Sequence, residues 1–187
     1  MCASPRQKRT PRPLDAARLD ELALAYVARF AASAAKLESY LQRKLRERGW
    51  QGEGEPPLHE ILTRFIAAGY VDDAAYARMK AGSLRRRGYG ERRVEQALGA
   101  AGIGDEDRAA VRAGEGEQRR AALLFARRRR LGPWGAPLDR QGREKQLAAM
   151  LRAGHRLDIA RNIVHAADSA SVEAWVEEAE ADGEERA

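Results

Sequence analysis

One spacing recurs three times along the chain: an apolar residue in a helical stretch, a glycine four positions later, and another apolar residue nine positions after that glycine. Glycine ends helices readily because it adopts the left-handed backbone conformation at little cost. The three copies are Leu45, Gly49 and Leu58; Leu98, Gly102 and Val111; and Met150, Gly154 and Ile163. Because the spacing holds while the loops around it vary in length, it indicates an internal repeat of three short helices.

A second pattern supports this repeat. Tyr76-Ala77-Arg78 matches Phe125-Ala126-Arg127, and more loosely Tyr26-Val27-Ala28-Arg29. A unit of three short helices is too small to bury its own apolar stripe, so neighbouring units must pack in tandem. The sequence therefore predicts an all-α fold of three tandem three-helix units in an elongated, curved, solenoid-like body.

The predicted segments are a disordered basic arm over 1–13, three-helix units over 14–70, 71–114 and 115–168, and an acidic tail helix over 169–187. Short polar side chains that accept the free N–H groups of a first helical turn mark the expected helix starts. These caps are Ser33, Asp72 or Asp73, Asp139, Asp158 and Ser171. The glycines at 114 and 116 predict a joint between the second and third units.

The composition favours helix and a reducing compartment. Valine, isoleucine and threonine are few, which disfavours a sheet. Cys2 is the only cysteine, so an internal disulfide is impossible and the cytoplasm is the expected location. No apolar run is long enough to span a bilayer and no signal-peptide pattern opens the chain, so we expect no membrane association. We expect a monomer.

The charge is unevenly distributed. The chain carries a net charge of +6, but residues 168–187 hold eight acidic groups and one arginine, a local charge of −7 that leaves +13 on the rest. A body this basic indicates an anionic partner, with nucleic acid as the first candidate. An arginine-rich composition without a partner is the alternative. The acidic tail either competes with the partner for the basic body or is merely solvated.

Catalytic and metal-binding patterns are absent from the sequence. His59, His155 and His165 are scattered, and no histidines or cysteines have the spacing of metal ligands. No glycine-rich phosphate loop and no nucleophile motif is present. The adjacent carboxylates Asp72 and Asp73 are better explained as helix caps. We therefore predict a non-enzyme without cofactor or metal.

Arginine clusters at predicted helix ends are the remaining candidates for a functional site. Arginine at a helix C-terminus is favourable in itself, so part of each cluster needs no partner. Four consecutive arginines over 127–130 point around most of a helix, so at least one is expected to be buried or committed to a ligand. The tyrosine between two clusters could stack on a base or pack beneath its turn. The candidate partner-binding residues are Arg85, Arg86, Arg87, Tyr89, Arg92, Arg93, Arg119, Arg120, Arg127 and Arg128.

The middle of the chain resembles the RecX family, the bacterial modulators of the RecA recombinase. The resemblance is strongest from Gly69 to Ile103 and covers most of 19–167. It rests on Gly69, Tyr70, Asp72, Asp73, Tyr76, Ala77, Arg87, Gly88, Tyr89, Gly90, Arg93, Leu98, Gly102 and Ile103. In the first unit, Lys36 replaces the acidic residue of the family's Ser-x-x-Glu-Leu element. In the third, Ala153-Gly154-His155 only partly matches the family's Arg-Gly-aromatic element.

The resemblance implies a small helical regulator without catalysis or cofactor. Such a protein binds the RecA filament and restrains its strand exchange, ATP hydrolysis and coprotease action in recombinational repair and the SOS response. Contact with single- or double-stranded DNA would run through the basic faces.

Two other functions remain open. One is a helix-turn-helix module, with helices over 72–87 and 91–101 and the second in the major groove. A sequence-specific module of this kind would protect a defined duplex site. The other is an interaction scaffold without a nucleic-acid role, for which binding would be insensitive to salt.

Overall fold

The structure, a computed structural model, describes residues 12–185, and that part of the chain is helical. It contains α1 (Ala16–Val27), α2 (Ala34–Arg48), α3 (Leu58–Ala67), α4 (Asp73–Arg86), α5 (Glu91–Gly99), α6 (Asp105–Ala110), α7 (Glu115–Arg129), a short 3-10 turn (Gly132–Trp134), α8 (Arg140–Arg152), α9 (Leu157–Val164) and α10 (Ser169–Glu184). Leu14 and Trp50 form an isolated β-bridge, and the described residues contain no strand. The predicted all-α class is confirmed. None of the described helices is both long and apolar enough to cross a membrane.

The chain divides into two compact units, one ending at Asp73 and the other beginning at Ala74. The first unit holds α1–α3 around buried Leu19, Leu37, Leu41, Ile61 and Phe65. Its helix α2 is capped as predicted, because the hydroxyl of Ser33 accepts the backbone N–H of Lys36. Asp73 contributes as well, since its carboxylate accepts the N–H of Ala34 at 2.9 Å.

The second unit contains α4–α10 and two clusters of buried apolar side chains. One cluster joins α4 and α5 through Tyr76, Leu84, Val94 and Leu98. The other cluster contains side chains from α7, α8, α9 and α10. Tyr89 packs against both clusters. The division of the described chain into three three-helix units stays a prediction.

The repeated glycine ends helices in the way the sequence predicted. Gly102 and Gly154 have φ values of 70° and 96°. In both cases the N–H of the following residue reaches back to the carbonyl of the apolar residue five positions earlier. Ile103 donates to Leu98 and His155 to Met150, each at 3.1 Å. These bonds satisfy carbonyls that the helix end would leave free.

Three local predictions were wrong. Residues 114–116 are not a joint, because α7 begins at Glu115 and Gly116 is buried inside it. Asp158 does not cap α9, since the helix starts at Leu157 and Arg156 stands at the cap position. Ser171 lies within α10, whose cap is Asp168; the Asp168 carboxylate accepts the N–H of Ser171 at 2.8 Å. Of the predicted arm, residues 1–11 lie outside the described residues.

Candidate functional site

The C-terminal ends of α4 and α7 bring four arginines together around one exposed leucine. Residues Arg86, Arg87, Leu124, Arg127 and Arg128 line a groove of about 410 Å³, which we call the arginine groove. Both helices end in arginines because the carbonyl end of a helix favours positive charge. Leu124 has 40% of its surface exposed to solvent. The groove therefore combines a dense positive charge with one exposed apolar side chain in its lining.

The guanidinium groups of the groove are mostly available to a ligand. Arg87 donates through Nε to the carbonyl of Ser83 at 3.3 Å, and its guanidinium lies 5.7 Å from the ring centre of Tyr89. Arg127 lies 3.7 Å from a carboxylate oxygen of Glu173. Among the described side chains of residues 12–185, no carboxylate forms an ion pair with Arg86 or Arg128. Among the described side chains, Arg127 is the groove arginine with a carboxylate within 4 Å, so the groove carries an excess of positive charge.

Arg85, although it belongs to the same predicted cluster, lies inside the fold. Its guanidinium pairs with Glu91 at 2.9 Å and donates to the carbonyl of Val111 at 2.5 Å. Both partners of the ion pair are largely buried, with 15% and 14% of their side chains exposed. Arg85 therefore links α4 to the start of α5 and the end of α6, and its Nε is buried without a partner. These contacts leave little of the Arg85 side chain exposed to a partner.

Arg119 and Arg120 are also engaged within the protein, in this case by α10. The guanidinium of Arg119 stacks 4.1 Å above the ring of Trp175 and donates to the Trp175 carbonyl at 2.8 Å. Arg120 makes a two-pronged contact with the carboxylate of Glu180. This hydrogen bond lowers the pKa of Glu180 and raises the pKa of Arg120. Neither arginine lines the arginine groove.

The remaining candidates lie around the turn between α4 and α5. Tyr89 is half-buried between the two apolar clusters, which favours packing beneath the turn over stacking on a base. Arg92 is exposed and faces a separate hollow that also contains Arg156 and Arg161. Arg93 is exposed on α5. The structure thus gathers Arg86, Arg87, Arg127 and Arg128 and leaves the other six candidates elsewhere.

The run of arginines over 127–130 has none of its members buried. The helix ends at Arg129, and Arg130 turns away in the left-handed conformation with a φ of 54°. The run therefore does not continue around the helix. Arg127 reaches Glu173, and Arg129 lies 5.9 Å from the ring centre of Phe125.

His155, one of three histidines scattered along the sequence, is a buried contact between two turns. Its Nε2 lies 3.0 Å from the carbonyl of Gly88, and 2% of the residue is exposed. Burial lowers its pKa to about 4, against the opposing effect of the hydrogen bond to Gly88. The ring is thus neutral at pH 7 and donates to a carbonyl, a structural role. No described group of histidines, cysteines and acidic residues could hold a metal ion.

Comparison with known proteins agrees with the resemblance seen in the sequence. The family model described as RecX, second three-helix domain, matches residues 72–111, the stretch that contains α4–α6. A regulatory protein RecX from Myxococcus xanthus is 32% identical over 169 residues, which cover 85% of this chain and 90% of that protein. The chain belongs to the RecX family. A regulatory protein RecX from Deinococcus radiodurans is 36% identical over 129 residues, covering 67% of this chain and 59% of that protein.

Solved structures of RecX-family members share the fold. RecX from Lactobacillus salivarius matches with a TM-score of 0.61 at 19% identity, covering 79% of this chain and 93% of that one. A crystal structure of a regulatory protein RecX gives the same score and identity over 70% of its chain. At this level of identity the likeness concerns the fold. The relatives from Myxococcus and Deinococcus are named as regulatory proteins.

Proposed function

We propose that this RecX-family chain is a non-catalytic regulator that binds the RecA recombinase filament and inhibits its strand exchange, ATP hydrolysis and coprotease action. It would act in the cytoplasm, as a monomer of three tandem three-helix units, in recombinational repair and the SOS response. The observation that carries the proposal is the arginine groove of a chain whose family is regulatory. A RecA filament on DNA offers both phosphates and protein carboxylates to such a surface.

The groove suits a filament better than a small ligand. It is open rather than enclosed, and its arginines carry two-pronged donors that match phosphates and carboxylates. Leu124 adds an apolar contact between the charges. We place the direct contact with the filament, and with any single- or double-stranded DNA it presents, on Arg86, Arg87, Arg127 and Arg128. Arg85, Arg119 and Arg120 are left out because their guanidinium groups are engaged internally.

The packing of α5 argues against the helix-turn-helix alternative. A recognition helix contacts base edges with its N-terminal residues. Here the start of α5 packs against the turn that follows α8. The backbone N–H of Gly90 donates to the carbonyl of Ala153 at 3.0 Å, and the backbone N–H of Arg92 donates to the carbonyl of Gly154 at 3.2 Å. Major-groove insertion would have to break these contacts.

Binding at a range of salt concentrations tests the proposal. The ligand is a RecA filament assembled on single-stranded poly(dT), and naked single-stranded and duplex DNA are measured beside it. We expect Arg86→Glu with Arg128→Glu to weaken filament binding roughly tenfold or more. The salt slope should also fall by about one unit for each phosphate that the variant no longer binds. The matched control is Lys145→Glu with Arg152→Glu, which reverses two exposed charges on α8 of the same unit.

Three results would contradict the proposal. Equal weakening in the groove variant and the α8 control would mean that the groove does not bind the filament. Protection of a defined duplex sequence without RecA would favour the helix-turn-helix module. Filament binding that ignores salt would favour a scaffold that makes no use of charge.

A further inference from the structure

Helix α10 contributes to the core of the second unit and packs against the arginine-rich helix α7. Val172 and Val176 are buried against the cluster that includes α7. The two backbones come close at Gly116, where a Cβ would stand 2.9 Å from the carbonyl oxygen of Ala179. A side chain at 116 would push the helices apart. The acidic tail is thus not a loosely attached segment.

The polar contacts between α10 and α7 differ along their length. Near the start of α7, Arg119 and Arg120 are held by Trp175 and by the Glu180 carboxylate. Near its end, Arg127 and Glu173 approach only to 3.7 Å, and 56% and 41% of their side chains are exposed. Because Arg127 also lines the arginine groove, Glu173 is the carboxylate that α10 places at the groove's edge.

We propose that Glu173 is a built-in competitor for the anionic partner, occupying Arg127 until that partner displaces it. The inference rests on the proposed function, since it concerns the regulation of the same groove. An exposed ion pair at this distance is weak and screened by salt. A phosphate or carboxylate that meets several arginines of the groove at once would take Arg127 from Glu173. Helix α10 thereby lowers the affinity of the arginine groove for its anionic partner while the helix stays packed against α7.

Single charge changes test this inference better than removal of α10, because deletion would expose the apolar surface of α7. Glu173→Gln removes the competitor and keeps the helix. Glu178→Gln is the matched control: it removes the same charge from the same helix, but Glu178 is exposed and, among the described side chains, forms no ion pair. The probes are the RecA filament on poly(dT) and, independently of RecA, immobilised heparin.

We expect Glu173→Gln to tighten filament binding about two- to fivefold beyond any effect of Glu178→Gln, the range of an exposed ion pair. It should also steepen the salt dependence slightly, because the partner contacts Arg127 in both proteins and only the wild type must first break an ion pair, which salt screens. On heparin the variant should elute at higher salt than the control. In an Arg127→Gln background the added effect of Glu173→Gln should vanish.

Equal behaviour of the two glutamate variants would overturn the inference, since it would reduce α10 to a source of general negative charge. An undiminished effect of Glu173→Gln in the Arg127→Gln background would overturn it as well. Failure of the proposed function looks different: Arg86→Glu with Arg128→Glu would then leave filament binding unchanged. The heparin comparison would still report whether Glu173 competes for Arg127.

Discussion

Arg85 and Arg86 are neighbours in the sequence with opposite surroundings. Arg85 is buried against Glu91 and the Val111 carbonyl, whereas Arg86 is exposed in the arginine groove. We expect Arg85→Gln to lower the free energy of unfolding by about 2–4 kcal/mol, because it leaves the Glu91 carboxylate buried without its partner. Arg86→Gln should change it by less than about 0.5 kcal/mol. Urea denaturation of both variants measures this, and similar small decreases would show that the Arg85 ion pair contributes little.

His155 predicts a pH dependence of stability. Its pKa lies near 4 in the folded chain and near its ordinary value of 6.5 in the unfolded chain. Between these values the unfolded state binds more protons, so stability is full above pH 6.5 and decreases as the pH falls towards 4. The decrease amounts to at most roughly 3.5 kcal/mol.

Comparing variants isolates this contribution from that of the carboxylates, which also titrate in acid. His155→Phe keeps a ring but has no proton to gain, so its stability should fall less between pH 6.5 and pH 4 than that of the wild type. His165→Phe, which makes the same replacement at an exposed histidine, is the matched control for the loss of an imidazole ring. Denaturation at several pH values gives these slopes. Identical slopes in His155→Phe and the wild type would contradict the assignment.

At the residue scale, the sequence could predict which positions are basic but not which charges are paired internally. Residues 85–87 are all arginine, so the sequence does not distinguish them. Arg85 differs from the other two because Glu91 and the C-terminal end of α6 lie within reach of its guanidinium. The same holds for Arg119 and Arg120, whose partners lie more than fifty positions away on α10. Such pairings depend on tertiary packing rather than on local pattern.

The turn between α4 and α5 packs against the turn between α8 and α9, and Gly90 stands at their closest approach. A Cβ on Gly90 would lie 2.3 Å from the backbone carbon of Gly154. Gly104 provides a matched control, since it also caps a helix in an extended conformation, with nothing within 4 Å of its ideal Cβ. We expect Gly90→Ala to cost about 1–3 kcal/mol more than Gly104→Ala because the two turns must separate. Thermal or urea unfolding measures the difference, and equal costs would mean that the turns adjust freely.

Element boundaries were predictable where a local rule decided them. Ser33 and Asp139 cap helices as expected, and Gly102 and Gly154 end them. The prediction failed at Gly116 because a glycine can serve close packing between helices as well as a break in the chain. That distinction requires knowing that α10 lies across α7.

At the scale of the whole molecule, the all-helical fold and the family could be predicted from periodicity and from the motifs between Gly69 and Ile103. The basic character of the chain was also evident from its charge. The arginine groove was not, because it depends on two helix ends, about forty positions apart in sequence, meeting in space. Leu124 looks like one more apolar residue in a helix, and no pattern in the sequence marks it as part of a groove lining.

We propose that this chain restrains a RecA filament through the arginine groove. The most direct test is ATP hydrolysis by the cognate RecA on single-stranded DNA, measured while the wild type, the groove variant Arg86→Glu with Arg128→Glu, or the α8 control is added. We predict that the wild type and the control lower the rate over the same concentration range, and that the groove variant requires roughly tenfold more protein or more. A rate that the wild type leaves unchanged, or that the groove variant lowers equally well, would contradict the account.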